Sequence, residues 1–101
     1  MSVPNLLPAA QRELSEAIDW YEARRPGLGV EFLGAMDLAL HAIADAPDQY
    51  PAWTSNPRFR RFVLDRFPYV VFFHAPATGP EVVAIGHAKR RPGYWLRRIG
   101  P

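Results

Sequence analysis

The chain has 101 residues, 49% hydrophobic and 22% charged with a net charge of +2, the size and balance of one globular domain. The lack of cysteine excludes a disulfide scaffold, a cysteine-ligated zinc site and a cysteine nucleophile. No apolar run reaches the roughly 18 residues of a membrane span, and residues 1–5 lack the cationic start of a signal peptide. We therefore expect one cytoplasmic domain over residues 1–101 with no membrane contact.

Two amphipathic helices are predicted first along the chain. The first begins at Pro8, which a first helical turn tolerates, and ends near Arg25. Its apolar stripe is Ala10, Leu14, Ala17, Ile18 and Tyr21, and its acids Glu13, Glu16, Asp19 and Glu22 are predicted to face solvent. Pro47 ends the second helix, whose stripe is Phe32, Met36, Ala39, Leu40 and Ile43. The short connector at residues 25–29 makes the pair an antiparallel hairpin.

A small sheet is predicted in the second half. Residues 48–57 are interpreted as an irregular crossing loop with Tyr50 and Trp53 beneath it. Strands are predicted over residues 58–64, 69–75 and 81–88, and residues 3–7 add an edge strand. The central run is apolar throughout, as expected of a strand covered on both faces. The predicted fold is therefore α+β, with an N-terminal α-helical hairpin packed on one face of a small twisted antiparallel β-sheet.

Charge divides the chain at the same boundary. Residues 1–57 hold three arginines against eight acids, a net charge of −5. Residues 58–101 hold nine cations against two acids, a net charge of +7, and eleven of the twelve cations in the chain are arginine. The planar fork of arginine suits phosphate and carboxylate recognition. The second half is therefore predicted to face an anionic partner.

The segment after the last predicted strand is the main candidate for function. It carries an imidazole, three cations and two aromatic rings: His87, Lys89, Arg90, Arg91, Tyr94 and Trp95. Arg58, Arg60 and Arg61 come from another strand and are expected to converge on the same face. Arginines neutralise phosphates and aromatic rings stack on unpaired bases, so this set suits RNA. In cleavage at a 2′-hydroxyl, His87 would serve as general acid or base.

The same residues also have structural interpretations. Tyr94 and Trp95 fit packing of the C-terminal segment onto the helices, and a histidine beside arginines is commonly a surface group. His74 is interpreted as a satisfied core or edge histidine, and His41 as a surface residue of the second helix. No metal-ligand spacing and no phosphate-binding glycine loop is present, so we expect neither a metal nor a cofactor.

A series of short motifs resembles the RelE/ParE toxin superfamily, across residues 8–96. The motifs of the helical half are Glu16-Ala-Ile-Asp-Trp-Tyr-Glu22, Arg25-Pro-Gly-Leu-Gly29 with Phe32, Ala46-Pro47 and Tyr50-Pro51. Those of the sheet half are Arg60-Arg61, Arg66-Phe-Pro-Tyr69, His87, Arg90-Arg-Pro92 and Tyr94-Trp95. The resemblance implies a helix hairpin on a curved antiparallel sheet, which agrees with the fold predicted above.

The resemblance further implies a toxin of a type II toxin–antitoxin pair, similar to the members labelled plasmid-stabilisation proteins. RelE-type members cut messenger RNA on the ribosome with strand arginines, lysines and a C-terminal tyrosine, whereas ParE-type members poison DNA gyrase. Val70 replaces a central-strand arginine of RelE-type members, and the loop at residues 52–57 holds no cation. Both departures favour the ParE-type function. A RelE-type endoribonuclease and a non-toxic, degenerate binding module remain alternatives.

These alternatives assign different roles to the candidate residues. In a nuclease, His87, Arg90 and Tyr94 are the predicted catalytic residues. In a binding protein, the predicted contacts to the target or the antitoxin are Arg58, Arg60, Arg61, Lys89 and Arg91. The antitoxin is predicted to lay an acidic segment along the strand arginines and the helix hairpin. Direct DNA binding belongs to the antitoxin in this family, so it is not expected of this chain.

Overall fold

The computed structural model describes residues 3–99 and places two helices against one five-stranded sheet. The elements in chain order are β1 (Asn5–Leu6), α1 (Pro8–Arg24), α2 (Leu28–Asp45), β2 (Ala52–Trp53), β3 (Asn56–Val63), β4 (Tyr69–His74) and β5 (Glu81–His87). The predicted α+β architecture is confirmed. Within residues 3–99, neither helix combines the length and apolarity that crossing a bilayer requires.

The helix hairpin is fixed by a carboxylate at its connector. Glu22 accepts hydrogen bonds from the backbone N–H groups of Gly27 at 2.9 Å and Gly29 at 3.0 Å. These N–H groups belong to the start of α2, where no intrahelical acceptor is available. Both helices lie where their apolar stripes predicted them, and Pro47 begins a short 3₁₀ turn directly after α2.

The strand order is β1-β5-β4-β3-β2, with β4 at the centre. The meander β3-β4-β5 is antiparallel as predicted, but β1 pairs parallel with β5, so the sheet is mixed. No hairpin turn constrains the direction of β1, because Asn5 and its partner Glu81 lie 76 residues apart. The loop predicted at residues 48–57 also differs, since it contains β2, which pairs with the start of β3.

The sheet carries a core on each face. The helix-side core includes Tyr21, Phe32, Met36, Ile43, Val71 and Phe73. The opposite core is Trp53, Phe59, Val70, Phe72, Val83, Ala84 and Trp95. The prediction that Trp95 packs onto the helices is therefore wrong. Because side chains alternate along β4 and both sets are apolar, the face away from the helices needs a cover of its own, and Trp95 supplies it.

Candidate functional site

Residues 88–99 form the C-terminal segment, which follows β5 and crosses the sheet. Trp95 anchors it with no exposed surface, and its ring centroid lies 4.7 Å from that of Phe59 and 4.9 Å from that of Phe72. Gly93 turns the chain toward this anchor at φ +93°, a conformation that favours glycine. The segment is thus held by the second core rather than left as a free tail.

The basic turn, defined here as residues 87–91, is the exposed part of the site. The His87 ring stands edge-on to Tyr69 with centroids 5.5 Å apart, and its Nδ1 accepts the Lys89 backbone N–H at 3.1 Å. In the neutral ring the proton is therefore on Nε2. Lys89 and Arg91 are exposed and form no salt bridge with any acid among the described residues. The turn therefore presents unpaired positive charge to solvent.

The Glu13 carboxylate gathers donors from the C-terminal segment. Arg98 binds it with both guanidinium nitrogens, Nη1 to Oε1 at 2.7 Å and Nη2 to Oε2 at 3.1 Å. Tyr94 donates its hydroxyl proton to Oε2 at 2.7 Å, and the Ile85 backbone N–H donates to Oε1 at 3.0 Å. Arg90 Nη1 lies 3.6 Å from Oε2. Glu13 of α1 thus contacts one backbone amide of β5 and three side chains of the C-terminal segment.

The prediction that Glu13 faces solvent is wrong. The helical spacing of the first helix could have predicted its burial. Buried Ala10 and Ala17 lie three residues before and four residues after Glu13, which places it on the buried stripe. Its partners could not be found in this way, because they lie 72 to 85 residues away along the chain.

Tyr94 is enclosed between two arginines at the edge of β5. The guanidinium carbon of Arg90 stands 3.5 Å from the ring centroid and that of Arg98 stands 5.2 Å away. Close approach requires a glycine beneath the ring, since a Cβ on Gly86 would lie 2.5 Å from the hydroxyl oxygen. Burial, followed by the hydrogen bond to Glu13, raises the pKa of Tyr94 above its ordinary value near 10. The phenol is therefore neutral, and its proton is engaged by Glu13.

A groove of about 410 Å³ runs between α1 and the end of β5. Trp20 on α1 is half exposed and carries the guanidinium of Arg24 at 4.1 Å from its ring. The other main walls are Tyr69, His87 and Arg90. Within residues 3–99, no three His, Asp or Glu side chains group as metal ligands. The lining also includes the carboxylates of Glu13 and Glu16, so the groove combines aromatic rings with charges of both signs, which suits binding of a polar partner.

The strand arginines do not join the basic turn. β4 lies between β3 and β5, and adjacent residues of β3 point to opposite faces, so Arg60 and Arg61 are on different sides of the sheet. Arg60 donates to the backbone oxygen of Tyr50 at 2.7 Å, which ties the loop after α2 to β3. Arg58 and Arg61 are exposed on opposite faces. The expected convergence of all three with His87 is wrong.

Two further residues singled out from the sequence, His74 and Val70, are both buried. His74 is buried and lies 2.8 Å from the Glu81 carboxylate, which confirms a satisfied histidine. The hydrogen bond with His74 is the main reason why the pKa of Glu81 is lowered. Val70 lies in the second core with Trp95, so a cation at this position would be buried.

A second surface is the apolar face of α2, defined as Val30, Leu33 and Leu38. Val30 is 72% exposed and Leu38 is 74% exposed, the largest values among the exposed apolar side chains of residues 3–99. Beside Leu38 a groove of about 500 Å³ separates α2 from the end of β3 and has Phe62 and Leu64 in its wall. A helix that is apolar on its outer as well as its inner face is typical of one that a partner covers.

Comparison with known proteins identifies a family and similar solved structures. A family model described as the ParE toxin of the type II toxin–antitoxin system parDE matches residues 5–92. The solved structure "Chromosomal ParDE TA system from P. aeruginosa" aligns with a TM-score of 0.76 at 15% identity, covering 88% of this chain and 98% of that one. At that identity the likeness shows the fold alone. None of the curated protein sequences compared with this chain matches it.

Proposed function

The chain belongs to the ParE toxin family of type II toxin–antitoxin systems, and from that membership we propose that it arrests growth by binding DNA gyrase through its basic turn. As the toxin of such a pair it has a cognate antitoxin. Family membership does not by itself identify the cellular target, because a protein that cleaves RNA uses many of the same residue types.

The arrangement around Tyr94 carries the proposal. Its hydroxyl proton is held by Glu13 and its ring is covered by Arg90, so the phenol is not free to donate a proton to a substrate. His87 is exposed and its Nδ1 is used by the turn itself. General acid–base cleavage needs two groups placed on one substrate. Unpaired cations on a rigid turn instead support binding to an anionic surface.

The experiment is a supercoiling assay with purified gyrase and purified toxin. Inhibition is expected, and Lys89→Ala with Arg91→Ala should weaken it by about tenfold, since two exposed cations contribute to the encounter. Arg12→Ala, which removes a cation from the outer surface of α1, is the matched control and should leave inhibition unchanged. Intact supercoiling together with cleavage of ribosome-bound message would establish the RelE-type alternative. Normal growth at good expression without antitoxin would establish the non-toxic module.

For the antitoxin we propose the apolar face of α2 and the groove beside it as the docking surface. The occupant would be an amphipathic segment that covers Leu38 and enters the groove between α2 and β3. Arg66 stands at the rim of that groove and is already paired with Glu31, so the apolar wall rather than charge would hold the segment. This surface lies on α2 and β3, which leaves the basic turn to the target.

A further inference from the structure

We infer that Glu13 is a positioning residue for the basic turn, acting through Tyr94 to fix the guanidinium of Arg90. The inference rests on the proposed function only for its biological readout. Glu13 belongs to the acidic half of the chain and to a helix, yet its contacts lie on β5 and the C-terminal segment.

The free edge of β5 is the first reason. β1 pairs only with Glu81 and Val82, so the outer edge of β5 has no neighbouring strand beyond that point among the described residues. Glu13 accepts the N–H of Ile85, and Arg98 donates to the carbonyl of Val83 at 3.2 Å. An acid and an arginine thus satisfy the backbone groups that a sixth strand would have paired.

The second reason is that both carboxylate oxygens are used in a fixed geometry. The bidentate pair with Arg98 sets the orientation of the carboxylate, and this orientation aims one oxygen at the Tyr94 hydroxyl. Glu13 is largely enclosed, with 11% of its side chain exposed. The side chain of Asp19, an acid on the same helix, is exposed and forms no hydrogen bond or salt bridge among residues 3–99. The role is therefore specific to position 13.

The connection to the basic turn runs through the Tyr94 ring. Arg90 lies on that ring and within 3.6 Å of Glu13, so its guanidinium has a stacking partner and a charge partner in fixed positions. Without Glu13 the Tyr94 hydroxyl loses its acceptor and the ring loses its orientation. The Arg90 side chain would then be free to adopt many rotamers, and its binding would carry a larger entropy cost.

The test compares Glu13→Gln with Asp19→Asn, which removes one acid from the exposed surface of the same helix. In the unaltered protein the Tyr94 ring should shift the Arg90 side-chain proton resonances upfield. Glu13→Gln should abolish that shift and speed hydrogen exchange at the Ile85 amide by about tenfold, whereas Asp19→Asn should change neither. Unchanged far-ultraviolet circular dichroism and well-dispersed amide resonances verify that each variant is folded.

The spectroscopic readout separates positioning from general structural support. A folded Glu13→Gln variant that keeps the Arg90 shift would overturn the inference, because the guanidinium would then be fixed without the carboxylate. In the gyrase assay Glu13→Gln should raise the inhibitory concentration about as much as loss of Arg90 itself. If the unaltered toxin leaves gyrase untouched, the proposed function fails, while the Arg90 shift and the Ile85 exchange still decide the role of Glu13.

Discussion

At the scale of single residues, Glu13 experiences opposing influences on its charge. Burial raises its pKa, but hydrogen bonds from Arg98, from the Ile85 amide and from Tyr94 outweigh burial, and the pKa is lowered from its ordinary value of 4.5. The charged groups that face it are Arg90 and Arg98, and the neutral phenols of Tyr94 and Tyr69 lie nearby. A carboxyl with a lower pKa in the folded state favours folding while it is ionised.

This sign leads to a prediction for acid stability. The contribution of Glu13 is fully present above the unfolded pKa near 4.5 and is lost as pH falls through the lower folded value. Urea unfolding measured from pH 7 to pH 3 should therefore show a smaller loss of stability for Glu13→Gln than for the unaltered protein. The pKa of Glu81 is also lowered, mainly by His74. Glu81 is present in both proteins, so its contribution to the pH dependence of stability cancels in the comparison. Parallel pH curves for the two proteins would contradict the prediction.

At the scale of elements, β4 decides how the chain is layered. Its run of apolar residues predicts cover on both faces, and that much follows from the sequence. What covers the second face does not, because the contact between Trp95 and β4 depends on a turn at Gly93 and on strands far apart in the chain. In β3, by contrast, the separation of Arg60 from Arg61 follows from strand alternation alone and was available from the sequence.

The second core gives a prediction about stability. Trp95→Ala should cost about 3–5 kcal/mol, because it removes the largest fully buried side chain and leaves a cavity in that core. Trp95→Phe should cost much less, because the indole Nε1 has no hydrogen-bond partner among the described residues and its removal relieves an unsatisfied donor. Leu96→Ala, at a neighbouring half-exposed site, is the control. Chemical denaturation measures all three, and equal losses for Ala and Phe would contradict this account.

At the scale of the whole molecule, the fold brings part of the acidic first half into contact with the basic second half and neutralises some of its charge. Two glutamates of the helices pair with arginines of the second half, Glu13 with Arg98 and Glu31 with Arg66. The hydrogen bond from Arg66 is the main reason why the pKa of Glu31 is lowered. The cations left exposed therefore determine what the surface attracts, and Lys89, Arg91, Arg58 and Arg61 are among them.

This distribution leads to a kinetic prediction for the antitoxin. Arg58→Ala with Arg61→Ala should slow association several-fold and flatten its dependence on salt, because exposed charges act on the encounter. Leu38→Ala should instead speed dissociation by about tenfold, because the contact is apolar and forms only in the complex. Val3→Ala, which shortens an exposed apolar side chain beside β1, is the control and should alter neither rate. Surface-binding kinetics at low and high salt measure both rates. An unchanged dissociation rate for Leu38→Ala would place the antitoxin elsewhere on the toxin.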